Sequence, residues 1–187
     1  MADRVSLEIE FKCLISKEDY DKLLKEFNIK KEQIKEQINH YFDTKELELR
    51  NNHTMCRIRQ KGDQYKITVK TKNETNDNIE NHYFITKDEG IQMISNGMSG
   101  KYANSSSTLY NVATLKTERV SFPFKNGKLF LDKSIYGNKV DYEIEYEVTN
   151  KEKGIIDFDQ FLQEHNIIKK EAISKSQRCY QEAGLIY

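Results

Sequence analysis

The chain carries no net charge, no tryptophan and no apolar run of membrane-spanning length, and each absence removes a class of protein. Thirty Lys and Arg balance thirty Asp and Glu, so this is not a protein built to coat nucleic acid or an acidic membrane surface. Three cysteines, Cys13, Cys56 and Cys179, are odd in number and far apart, which fits neither a disulfide framework nor a metal-binding spacing. Reduced thiols point to a cytosolic compartment, and the lack of a signal-like or transmembrane segment leads to the same expectation of a soluble, cytoplasmic protein. The four histidines, His40, His53, His82 and His165, share no ligand spacing. A Gly-rich phosphate loop and a Ser-centred nucleophile elbow are both missing, which argues against P-loop chemistry and against covalent catalysis by serine.

What is present is charge of both signs, 32% of residues, laid out with a period of two. At 187 residues the simplest organisation is one domain over residues 1–187, with eleven Tyr and nine Phe as core material. The first strand reads Ser6 to Leu14, with Leu7, Ile9, Phe11 and Cys13 on one face and Glu8, Glu10 and Lys12 on the other. Ser16 caps a helix over about 17–28, and 33–43 reads as a strand. Residues 54–59 and 64–72 form a hairpin about Lys61-Gly62-Asp63, followed by a strand over 78–85 and a helix over 88–96. The Gly-, Ser- and Asn-rich stretch 97–108 reads as a flexible connection. Strands over 115–124, 128–132 and 140–148 follow, then helices from Asp157 and from Ser174. Short links make most of these roughly eight strands antiparallel, so the fold class is α+β, mainly β, with a closed or nearly closed barrel as the expected architecture.

Three charged strand faces carry the functional reading. They are Glu8-x-Glu10-x-Lys12, the hairpin with Arg57, Arg59, Lys66, Lys70 and Lys72, and Glu143-x-Glu145-x-Glu147. Each alone reads as the wet face of an amphipathic strand. Like charges in a row repel, however, and a partner relieves them. Carboxylates suit Mg²⁺ or Mn²⁺ when phosphates complete the shell. Arginine forks and lysine ammonium groups suit phosphate oxygens. Nucleic acid would also meet a basic hairpin, but the acidic strands would repel it and no stacking platform is evident.

Glu8-Ile9-Glu10-Phe11-Lys12 resembles the signature of the CYTH superfamily, the triphosphate tunnel metalloenzymes of the CyaB and thiamine-triphosphatase type. Arg57-Ile58-Arg59, the Lys66 to Lys72 strand, Arg119, the 141–147 run and Ser174-Lys175-Ser176-x-x-Arg178 follow in the family's order. Tyr41-Phe42-Asp43-Thr44 and the 141–147 run are most similar to the small branch found in Gram-positive bacteria. The resemblance implies an eight-stranded antiparallel β-barrel forming a polar tunnel, with helices packed outside, and a metal-dependent hydrolase of a triphosphate anhydride. Inorganic triphosphate is the first candidate substrate, and thiamine or nucleoside triphosphate come next. It implies Glu8, Glu10, Glu145 and Glu147, with Glu143, on the Mg²⁺ or Mn²⁺ side. Lys12, Arg57, Arg59, Lys66, Lys70, Arg119, Lys175 and Arg178 would hold phosphates. Glu80 and Asp132 would be further acidic tunnel residues, and Lys72 would sit among the phosphate ligands or at the mouth. Lys66 or Lys70 would assist the leaving diphosphate. Two competing readings use the same residues: an adenylate cyclase, which also needs a nucleobase pocket, and a non-catalytic module binding a nucleotide or polyphosphate. Specificity beyond the phosphates would reside in the 73–78 and 97–108 loops.

Overall fold

A computed structural model of the chain describes residues 1–72, 78–170 and 172–186. Its elements in order are β1 (Arg4–Ile15), α1 (Lys17–Glu26), β2 (Lys35–Asp43), α2 (Glu48–Asn51), β3 (Met55–Lys61), β4 (Gln64–Lys72) and β5 (Asn78–Ile85). There follow α3 (Lys87–Asn96), β6 (Met98–Ser99), β7 (Thr108–Phe124), β8 (Gly127–Tyr136), β9 (Lys139–Val148), α4 (Lys151–Glu164) and α5 (Lys175–Glu182). The strands are hydrogen-bonded in the order β2-β3-β4-β5-β1-β9-β8-β7-β6, and β2 also pairs with β7. That extra pairing closes the eight long strands into the antiparallel barrel topology expected from the sequence, with two-residue β6 as an appendage.

The chain divides into two compact units. The first comprises Met1–Leu7, Gln37–Lys116 and Lys175–Tyr187. In its sheet, Cys56, Ile58, Tyr65, Ile67 and Val69 form one apolar face, packed with Phe42, Leu49, Met98 and Leu109 and with Met93 and Ile94 of α3. Thr86 starts α3 through a capping box with Glu89, and Gly90 lets the helix close on Tyr65, since an added Cβ there would run into the ring. The second unit comprises Glu8–Glu36 and Thr117–Ser174. Here Cys13, Leu129, Leu131, Ile144 and Tyr146 meet Tyr20 and Leu23 of α1 and Phe158, Phe161 and Leu162 of α4. Ser16 caps α1 as expected, its Oγ accepting the Asp19 N–H at 3.0 Å while the Asp19 carboxylate accepts from the Ser16 N–H. In both units the apolar strand faces are used up by helices and core, and the charged faces are the other ones.

The sequence reading needs correcting in four places. Helix α4 begins at Lys151, not Asp157, because Asn150 is its cap and accepts the Lys153 N–H at 2.8 Å. The 97–108 stretch is not a structureless connection: Met98 and Ser99 pair with Leu109 and Thr108, and a 3₁₀ turn spans Gly100–Ala103. Strands β7 and β8 are longer than expected, starting at Thr108 and ending at Tyr136. Leu7 does not join the β1 core stripe but is 58% exposed. Most of the proposed 73–78 specificity loop lies outside the described residues.

Candidate functional site

In the first unit, strand register builds a lattice of cations. Asn39, Arg59 and Lys66 lie directly across from one another on β2, β3 and β4, and Tyr41, Arg57, Thr68 and His82 form the next row through β5. Lys70 faces Glu80 in the row beyond. Side chains opposite one another on antiparallel strands share a face, so these rows place Arg57, Arg59, Lys66 and Lys70 on one polar surface. Asn39, 1% exposed, accepts from Arg59 Nε at 3.0 Å and sets the direction of that guanidinium. Glu80 is the buried carboxylate among these cations, with Oε1 3.7 Å from Arg57 Nη2 and 3.5 Å from Lys70 Nζ. Burial alone would raise its pKa, but Arg57, Lys70, His82 and Arg59 outweigh burial and hold it below the usual range. Burial, reinforced by Arg59 and Arg57, lowers the pKa of Lys66. Helix α5 adds to this unit: Tyr180 packs edge-on against Tyr41, Arg178 is buried, and the charge of Lys175 is felt at the Tyr41 phenol together with Arg57 and Arg59.

His82 occupies the β5 end of that middle row. Its Nε2 lies 3.1 Å from Ser6 Oγ and 3.5 Å from Glu80 Oε2, and its Nδ1 lies 3.3 Å from Thr68 Oγ1.

In the second unit the polar face is acidic. Glu10 and Lys12 stand opposite Glu147 and Glu145, and Glu143 stands opposite Asp132. Arg119 is locked into this face. It donates through Nε to Asp132 Oδ1 at 2.7 Å and through Nη2 to Asp132 Oδ2 and Glu145 Oε2, while its guanidinium lies 4.5 Å from the centre of the Phe130 ring. Lys12 is paired with Glu10 at 3.0 Å. The carboxylate of Glu147 is pushed up to about 7 by burial and by Glu8, an effect that Arg119 opposes and that Glu145 and Glu10 increase. A divalent cation would remove that repulsion, and oxygen donors are what Mg²⁺ and Mn²⁺ take, so this donor set fits such an ion. Among the described residues no three Asp, Glu, His or Cys side chains are gathered as ligands, which agrees with Glu10 and Glu145 being engaged by Lys12 and Arg119.

The structure thus sorts the expected residues into two sets. Arg57, Arg59, Lys66, Lys70, Glu80, Lys175 and Arg178 belong to the first unit, and Glu8, Glu10, Lys12, Arg119, Asp132, Glu143, Glu145 and Glu147 to the second. Lys72 is exposed at the end of β4. Arg119, expected among phosphate ligands, is engaged by carboxylates. Sequence reasoning did not single out Asn39, although it sits at an alternate strand position directly across from Arg59.

An antiparallel barrel topology with one polycationic and one polyanionic strand face defines a class suited to polyphosphate and a hard metal ion. The family profile described as the CYTH domain matches residues 6–180, and the chain belongs to that family. YjbK of Bacillus subtilis (strain 168), which carries a provisional triphosphatase name, is 29% identical over 182 residues, covering 94% of this chain and 95% of YjbK. A crystal structure from Bacillus halodurans, described provisionally as an adenylate cyclase, superposes with a TM-score of 0.85 at 30% identity over 93% of this chain and 97% of that one. HpAC1 from Hippeastrum shares the fold, with a TM-score of 0.77 at 21% identity over 96% and 97% of the two chains.

Proposed function

We propose that the chain is a metal-dependent triphosphatase that cleaves a terminal phosphoanhydride, with inorganic triphosphate as its substrate and residues 1–187 acting as one functional domain. The observation that carries this reading is the register-built lattice of Arg57, Arg59, Lys66 and Lys70 around one buried carboxylate. Such a surface offers planar forks and point charges to a ligand with several negative charges. The provisional triphosphatase name of YjbK supports the same reaction.

Glu8, Glu10, Glu145 and Glu147, with Glu143, would hold Mg²⁺ or Mn²⁺, which when bound neutralises phosphate oxygens and acidifies water. Arg57, Arg59, Lys70, Lys175 and Arg178 bind and orient the phosphates, and Lys12 and Arg119 add charge from the acidic face. Water oxygen attacks the terminal phosphorus, and the bridging P–O bond breaks. Lys66, whose proton is loosened by burial and by its arginine neighbours, protonates the bridging oxygen as diphosphate leaves. Lys70, paired with Glu80 before the phosphates bind, contributes charge to them and not a proton.

The test is phosphate release from inorganic triphosphate, thiamine triphosphate, ATP and GTP, with Mg²⁺, Mn²⁺ or chelator, beside a Glu8→Gln, Glu10→Gln double variant. Metal-dependent turnover, fastest on inorganic triphosphate and lost in the double variant, is expected. The description of the Bacillus halodurans protein favours the cyclase as second reading, and cyclic AMP from ATP without phosphate release would establish it. Tight binding with no turnover of any compound would instead mark a binding module.

A further inference from the structure

We propose that His82 is the proton-accepting partner of Glu80: it steadies the carboxylate that engages Arg57 and Lys70, and takes up a proton when a polyphosphate draws those two cations away. The inference rests on the triphosphate reading above and concerns a residue that reading does not use.

The argument begins with donors and acceptors. Glu80 is ionised and therefore only accepts hydrogen bonds. Its Oε1 faces Arg57 and Lys70, and its Oε2 faces His82 Nε2 at 3.5 Å. For that approach to be favourable, Nε2 must carry the ring proton, which leaves Nδ1 as the acceptor. Thr68 Oγ1, 3.3 Å from Nδ1 and fully buried, then donates to it. Ser6 Oγ, 3.1 Å from Nε2, fixes the ring from the other side. The histidine is 6% exposed, so its orientation is set by these three side chains and not by solvent.

The charges facing His82 come from every strand around it: Lys66 on β4, Arg57 on β3, Arg4 on β1 and Glu80 on its own strand. Burial and Lys66 disfavour the imidazolium, Glu80 favours it, and Arg57 and Arg4 disfavour it further, so the ring is held neutral below the usual histidine range. A polyphosphate on this surface reverses the balance. Its negative charge cancels the field of Lys66 and Arg57, and Arg57 and Lys70 turn from Glu80 to phosphate oxygens. The buried carboxylate then needs another cation, and the ring beside Oε2 supplies it by binding a proton from solvent. By linkage, affinity for the polyanion falls as pH rises through the histidine pKa of the bound state.

The experiment is calorimetric titration of the full chain with inorganic triphosphate in chelator, in two buffers of different ionisation enthalpy at pH 7, for wild type and His82→Gln. Proton exchange by the triphosphate itself is common to both proteins. Wild type is expected to take up about half a proton more than the variant, and its affinity to fall about threefold more steeply per pH unit. Equal proton uptake in two folded proteins that both bind would overturn the inference. Absence of triphosphate binding to wild type would overturn it too, together with the parent reading, and is distinguishable from the first outcome. Should His82→Gln not fold, histidine NMR of the wild-type chain decides the matter. A His82 pKa that rises on adding triphosphate supports the proposal, and an unmoved one overturns it.

Discussion

At the scale of single residues, two lysines of like type are prepared differently by their neighbours. Lys70 has the Glu80 carboxylate 3.5 Å away as an ion-pair partner. Lys66 stands across from Arg59 on β3, and its position is half-buried, so its proton is easier to release. A general acid contributes about 10²–10⁴ in rate. Lys66→Ala is therefore expected to lower kcat on inorganic triphosphate by about 10²-fold or more while binding in chelator weakens far less. Parallel phosphate-release and calorimetric measurements check this, and equal losses in both would make Lys66 a plain phosphate ligand. The charge pattern that led to these lysines was legible in the sequence, because a strand repeats every two residues and Lys66, Thr68 and Lys70 stay in phase. The Ser6–His82 contact was not legible, since 76 positions separate the two residues and only the pairing of β1 beside β5 joins them.

At the scale of elements, the end of β2 is held by Asp43. Its carboxylate is fully buried and accepts the N–H groups of Thr44 at 2.8 Å, Leu49 at 2.9 Å and Arg50 at 3.0 Å, so it serves as the acceptor for the first turn of α2. Asp43→Ala leaves those donors buried and unmet. It is expected to cost about 2–3 kcal/mol, read as a lower urea midpoint with an unchanged slope. Asp43 was visible in the sequence as the end of a strand and as part of Tyr41-Phe42-Asp43-Thr44, but not as an acceptor, because that role depends on backbone that folds back to it. The start of α4 was missed for a related reason. Asn150 caps a first turn of Lys151, Glu152 and Lys153 that carries no apolar stripe, whereas Asp157 precedes the aromatic residues that do. Short β6 was hidden by a composition that reads as loop, although Met98 in it is buried.

For the whole molecule, the split into a basic and an acidic face predicts how stability responds to acid. The pKa of Glu80 lies below its ordinary value of 4.5 in the folded chain, so its ionised form stabilises the native state above that pH. As pH falls from about 4.5 through the lower folded value, that contribution is lost. Glu80→Gln should cost about 1–2 kcal/mol at pH 7, because the partly buried Arg57 and Lys70 lose their counter-ion. The gap between variant and wild type should close as acid protonates the wild-type carboxylate. Urea unfolding at neutral pH and below pH 4 measures both points, and a gap independent of pH would show that Glu80 contributes by packing alone. The barrel topology could be read ahead of the structure from hairpin-length links and strand count. The division of the charged residues into two sets could not, because it depends on which parts of the chain gather with which.

Helix α5 belongs to the basic unit although the whole of Thr117–Ser174 precedes it in the chain and belongs to the other one. A ribosome making this protein therefore releases Arg57, Arg59, Lys66 and Lys70 long before Lys175 and Arg178. The aromatic seat that Tyr41 offers to Tyr180 stays open through that interval. The cations of the basic unit therefore come together only once α5 has been made, and a chain stalled anywhere before it lacks Lys175 and Arg178.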